Sequence, residues 1–98
     1  MDEATAKSHI EAHADAVVSG DQEALVADFS EELRPQLPQL AQALPQPVTS
    51  SKIQDIQIGT EESVSTITYS GPDSSVTIRA EWREEGGRPV IVHAEPVG

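Results

Sequence analysis

The stretch IEAHADAVVSGDQEALVADF, residues 10–29, carries the reading of the whole chain. Extended back to Asp2, its apolar residues Ala6, Ile10, Ala14 and Val17 recur at spacings of four and three, which places them on one face of a helix from about Asp2 to Ser19. His13 falls inside that apolar stripe, whereas Glu11 and Asp15 stand on the polar side, with Lys7 one turn before Glu11. The stripe is rich in alanine, so the helix can approach its packing partner closely. Gly20 is placed to end the helix in a left-handed conformation, and Asp21 to cap the next helix by accepting hydrogen bonds from its first amides. In that second helix Leu25, Val26 and Phe29 form the expected buried side, and Glu23 suits the positive end of the helix dipole.

Composition limits what such a chain can do. Ninety-eight residues fit one domain, 1–98, with a single modest core, and so short a chain gains stability by dimerising, which predicts a homodimer. Phe29, Tyr69 and Trp82 are the only aromatic residues besides histidine, so the core must be mostly Val, Ile, Leu and Ala. Six Lys and Arg against seventeen Asp and Glu leave a formal net charge of -11, which opposes binding to nucleic acid and to anionic membrane surfaces. There is no cysteine, hence no disulfide frame and no thiolate chemistry. The opening MDEATAKSH lacks the basic start and apolar run of a signal peptide, and no apolar run approaches membrane-spanning length, which predicts a soluble, cytoplasmic protein.

Past the corner, Ser30 is a candidate cap, and Leu33, Leu37, Leu40 and Leu44 recur at spacings of four, three and four. Pro35 and Pro38 can sit at the start of a helix, whose first amides have no internal acceptor, so a helix is expected from near Arg34 to about Leu44, ending at Pro45-Gln46-Pro47. The leucine stripe serves equally as core or as a partner surface. After Val48 the period becomes alternating. Ser51 to Ile58 and Ser63 to Tyr69 read as strands, with a turn at Ser70-Gly71-Pro72-Asp73. From Val76 the alternation is clean: Val76, Ile78, Ala80 and Trp82 face one way, Thr77, Arg79, Glu81 and Arg83 the other. Glu85-Gly86-Gly87-Arg88 closes a hairpin into Val90 to Glu95, where Val90, Val92 and Ala94 are expected on one face and Ile91, His93 and Glu95 on the other. Ile91 between apolar neighbours predicts a last strand covered on both faces at least in part, a second subunit supplying the outer cover. Helices first and a four-stranded antiparallel meander second predict an α+β domain with N-terminal helices packed on one face of a curved sheet.

The run HADAVVSGDQEALVADF resembles the opening of the nuclear-transport-factor-2-like superfamily, the cone-shaped α+β fold shared by ketosteroid isomerase, scytalone dehydratase and polyketide cyclases. The tail GGRPVIVHAEPV is similar to the superfamily's closing strand, so that the two ends, roughly a third of the chain, carry the resemblance. It implies a shortened cystatin-like cone, because the hairpin that members place between the second and third helices has no counterpart in the proline-broken Ser30 to Pro47. In the ketosteroid isomerases the general base sits in that region, directly after the second helix, so its loss is implied here. Aligning Gly20-Asp21 with the family corner puts His13 where those isomerases carry an oxyanion-stabilising tyrosine.

His13 is therefore the candidate for acid, base or hydrogen-bond work on a ligand, against the plainer reading of a satisfied core histidine. Ile10, His13, Val17, Phe29, Ile78, Trp82 and Val92 are the expected pocket wall, and Tyr69 is either a pocket or a core residue. His9 and His13 have the spacing of a two-ligand metal face but lack the HExxH glutamate and a third ligand, so neither a metal nor a cofactor is expected. His93 and Glu95 read as a polar pair or dimer contact, and Arg79 and Arg83 as partners of surface carboxylates. No nucleophile elbow, phosphate loop or calcium-loop spacing is present. The expected function is a non-enzymatic, homodimeric module that binds a small apolar ligand or another protein. The alternative is an isomerase, dehydratase or cyclase in which His13 acts on a substrate held against Trp82. That alternative needs an open pocket pairing His13 with a carboxylate.

Overall fold

The computed structural model describes residues 2–97. The chain opens with α1 (Glu3–Ser19), and Asp2 caps it by accepting the Thr5 amide and hydroxyl at 2.9 and 3.0 Å. The amide bond in particular holds the exposed Asp2 carboxyl below its ordinary value. At the other end Gly20 adopts a left-handed φ of 75° and donates its amide to the Ala16 carbonyl. Asp21 then accepts the Ala24 amide at 3.2 Å and starts α2 (Gln22–Asp28). The Gly20-Asp21 corner stands where the sequence places it.

The leucine segment departs from one continuous helix. It forms a 3-10 turn (Arg34–Gln36) and then α3 (Leu37–Ala43). Pro38 has no N–H to give the Arg34 carbonyl, which accepts from Leu37 instead, so the chain winds more tightly before α3 begins. Leu44 is extended because it precedes Pro45, and α3 stops there.

Four strands follow, β1 (Ser50–Ile58), β2 (Glu62–Ser70), β3 (Ser75–Glu85) and β4 (Arg88–Val97), in one antiparallel sheet of order β1-β2-β3-β4. The fold is thus α+β, three helices on a four-stranded antiparallel sheet. α1 lies across β1 and β2, while α2 and α3 lie toward β4. Phe29 makes a parallel bridge to Ile91, and the Ser30 amide donates to the Ile91 carbonyl at 2.9 Å, so part of the β4 edge is occupied by the chain itself.

Two bulges set which side chains meet the helices. In β1, Ile53 pairs with Ile67 and Asp55 with Thr66, leaving Gln54 as the extra residue. Ile53, Ile56 and Ile58 therefore share the covered face despite their uneven spacing. In β4, Ile91 pairs with Trp82 and His93 with Glu81, so Val92 is the extra residue. This corrects the expected alternation: the bulge turns Ile91 to the same face as Ala94, and both pack with the core, whereas Val92 does not. Pro89, Val90 and Ile91 are buried in succession, so the start of β4 is covered on both sides within one chain.

The core joins Ile10, Ala14, Phe29, Leu33, Ile67, Tyr69, Ala80, Trp82 and Ile91, with Leu37, Leu40 and Leu44 packed against it at half burial. The outer sheet face is mainly polar. Thr68 and Thr77 pair through their hydroxyls at 2.8 Å, Arg79 meets Glu81 at 3.4 Å, Arg83 meets Glu62 at 2.7 Å, and His93 lies 3.7 Å from Glu95. The two arginines take surface carboxylates, as their strand face predicts, and the Glu62 hydrogen bond raises the Arg83 guanidinium further above its ordinary value.

Candidate ligand pocket

Between the sheet and the pair α2 and α3 lies a cavity of about 380 Å3, inside the roughly 300–1,000 Å3 range of small-ligand sites. Its floor is Ile67, Ile78, Ala80, Ile91 and Ala94 from three strands, and its roof is Leu37, Leu40 and Leu44 with Leu25 and Phe29. The leucine stripe is thus spent inside the molecule, Leu33 in the core and Leu37, Leu40 and Leu44 between core and cavity. Gln22, Val26, Pro38 and Ala41 also line it and are solvent-exposed, which puts the mouth between α2 and α3. Val26, expected on the buried side of α2, is 41% exposed because it stands at this mouth.

The polar groups on the wall deepest in the fold come from three residues, His13, Ser65 and Tyr69. His13 projects from the apolar face of α1, packed edge-on against Trp82 and Phe29 with ring centroids 5.4 and 5.8 Å away. Its Nδ1 lies 3.0 Å from Oδ2 of Asp28, both side chains being buried. Asp28, the last residue of α2, takes a second bond on Oδ1 from Nη2 of Arg88 at 2.8 Å, across the molecule from the start of β4. An arginine can only donate, and the carboxylate accepts on both oxygens, so His13 donates through Nδ1. In the neutral ring Nε2 is then the acceptor, and among the described residues it has no hydrogen-bond partner.

Trp82 is fully buried and donates its indole N–H to the Ser65 hydroxyl at 3.0 Å, which fixes the indole under the His13 ring. Tyr69 is almost wholly buried on β2. Burial first, and then the charge of Asp28, push its hydroxyl far above the ordinary tyrosine value of 10.0. It therefore stays a neutral donor. Asp28 thus bonds His13 and its charge reaches Tyr69, and both of these residues line the cavity.

Of the expected wall, His13, Val17, Phe29 and Ile78 line the cavity. Ile10 and Trp82 sit behind it, both without exposed surface, Ile10 in the core and Trp82 beneath His13. Val92 lies outside it, and Ile91 takes its place because of the bulge. Asp28 and Arg88 escape the sequence reading. The signal for Asp28 was its position three residues after Leu25 and next to Phe29, on the side of α2 that the reading assigns to the core. His9 does not join a cluster: among the described residues no three acidic or histidine side chains converge on a metal position. Among the described residues no helix is long and apolar enough to cross a membrane. Compared with known proteins, the chain matches no family, no curated protein and no solved structure.

Proposed function

We propose that this chain is a ligand-binding domain that takes up a small, largely apolar molecule between its helices and its sheet. The single observation that carries the reading is an apolar cavity of about 380 Å3 ending at a buried histidine whose orientation is fixed by a carboxylate. The accompanying proposals are a shortened cone of the nuclear-transport-factor-2-like kind, a cytoplasmic location and a homodimer through the outer sheet face. The net charge of -11 agrees with a partner that is neither nucleic acid nor an anionic membrane. Trp82 is the chain's one tryptophan and touches two cavity-lining residues, His13 and Ser65, so its indole N–H resonance is the natural reporter. Titration with propylbenzene shifts that resonance saturably, and Ala94→Phe, which fills the cavity floor, abolishes the shift in a folded protein. A folded wild-type protein whose indole resonance ignores the probe contradicts the reading.

The pairing of His13 with Asp28 favours a second reading, catalysis by proton transfer of the isomerase, dehydratase or cyclase kind. Asp28, the last residue of α2, is a carboxylate beside the region where the resemblance implies the loss of a general base. It presents Nε2 to a guest as a proton acceptor. Exchange of α-protons of 1-indanone in D2O, faster with wild-type protein than with Asp28→Asn, supports catalysis. Equal exchange leaves the binding reading alone.

A further inference from the structure

The cavity wall carries a buried acceptor on His13 and a buried donor on Tyr69, and that combination selects among apolar guests. Asp28 takes the Nδ1 hydrogen of His13, leaving Nε2 to accept. Tyr69, almost wholly buried on the adjoining wall, has no hydrogen-bond partner for its hydroxyl among the described residues. An apolar hydrocarbon leaves both groups unpaired when it displaces water, and an ether or ketone can satisfy only Tyr69. A hydroxyl does both, giving its hydrogen to Nε2 and accepting from Tyr69. A cationic amine gains little from Asp28, whose charge is already shared with Arg88 at 2.8 Å.

Resting on the pocket reading above, we propose that the guest is an apolar alcohol or phenol whose single hydroxyl bridges His13 Nε2 and the Tyr69 hydroxyl. The geometry is reinforced by the neutrality of Tyr69, which burial and the Asp28 charge preserve. A buried polar group without its partner weakens binding more than a missing methylene does, so selectivity by the hydroxyl exceeds selectivity by size.

The test compares 4-propylphenol, 4-propylanisole, propylbenzene and 4-propylbenzylamine by titration of the Trp82 indole resonance. The phenol binds about tenfold or more tightly than each of the others, and in Tyr69→Phe its advantage over propylbenzene shrinks to about threefold or less while propylbenzene binds as before. Equal affinities for all four in the wild type overturn the hydroxyl bridge and leave the apolar pocket standing. Tightest binding of the amine overturns it in favour of a cationic guest. Failure of all four to bind overturns the pocket itself, and the bridge with it. The wild-type comparison decides the matter even where the tyrosine variant does not fold.

Discussion

Asp28 links α1, α2 and the start of β4 through His13 and Arg88. Removing it strands the buried Nδ1 donor of His13, while Arg88, with 40% of its side chain exposed, can turn to water. Asp28→Ala is therefore expected to lose about 2–3 kcal/mol in urea denaturation, most of it from the histidine side. A loss under about 0.5 kcal/mol, the level of an ordinary surface change, contradicts the network. Tyr69 gives a second readout at this scale, since it is the chain's one tyrosine and its phenolate absorbance is unambiguous. Its folded-state value is raised, so the native state keeps the proton that the unfolded chain releases. Stability tied to that hydroxyl is complete below the ordinary value of 10.0 and declines as the pH rises beyond it. The denaturation midpoint should fall in that window, with phenolate appearing only as the fold is lost. Phenolate formation near the ordinary value in a folded protein contradicts the burial. The role of Asp28 was not legible in the sequence, because its partners lie 15 and 60 residues away, whereas Tyr69 is offered by the sequence as a pocket or core residue.

At the scale of elements, much was legible, and the reason is local chemistry. Gly20 and Asp21 act on backbone groups within four residues, so their cap roles follow from residue type and position alone. The bulges were not legible in the same way. Ile53 to Ile56 and Ile91 to Ala94 are spaced by three, and within an alternating segment that spacing marks an inserted residue only once the partner strand is known. The β4 bulge decides that Ile91 and not Val92 lines the cavity. A contrast between two glycines checks the packing of the connections. Gly20 has open space around a Cβ, so Gly20→Ala costs only its left-handed backbone, about 1–2 kcal/mol. At Gly71 a Cβ would lie 2.6 Å from the Pro47 carbonyl and 2.7 Å from the Pro45 ring, both parts of the segment leading from α3 to β1. Gly71→Ala should therefore destabilise more than Gly20→Ala in parallel urea curves; the reverse order would mean that this segment does not press on the β2–β3 turn.

At the scale of the whole molecule, the order of helices and strands was readable from periodicity, whereas the cavity was not. It arises because Leu37, Leu40 and Leu44 on the proline-shortened α3 do not fill the space above Ile67 and Ile91, and no sequence pattern reports a gap between elements. The outer face carries Val64 and Val90 among its charged pairs, opposite Glu81 and Arg83 in register. The proposed homodimer uses that face, so sedimentation equilibrium should give twice the 10.5 kDa chain mass, and Val64→Lys, at a half-buried outer-face position, should return it to the monomer. A strict monomer at high concentration contradicts the dimer and leaves the pocket untouched. The pocket itself is tested most directly by nuclear Overhauser contacts between propylbenzene and the protein's methyl groups. Contacts to Leu37, Leu40, Ile67 and Ile91 together are expected, since the cavity brings those four side chains onto one guest; contacts confined to the outer-face Val64, or none at all, would contradict a ligand held between helices and sheet.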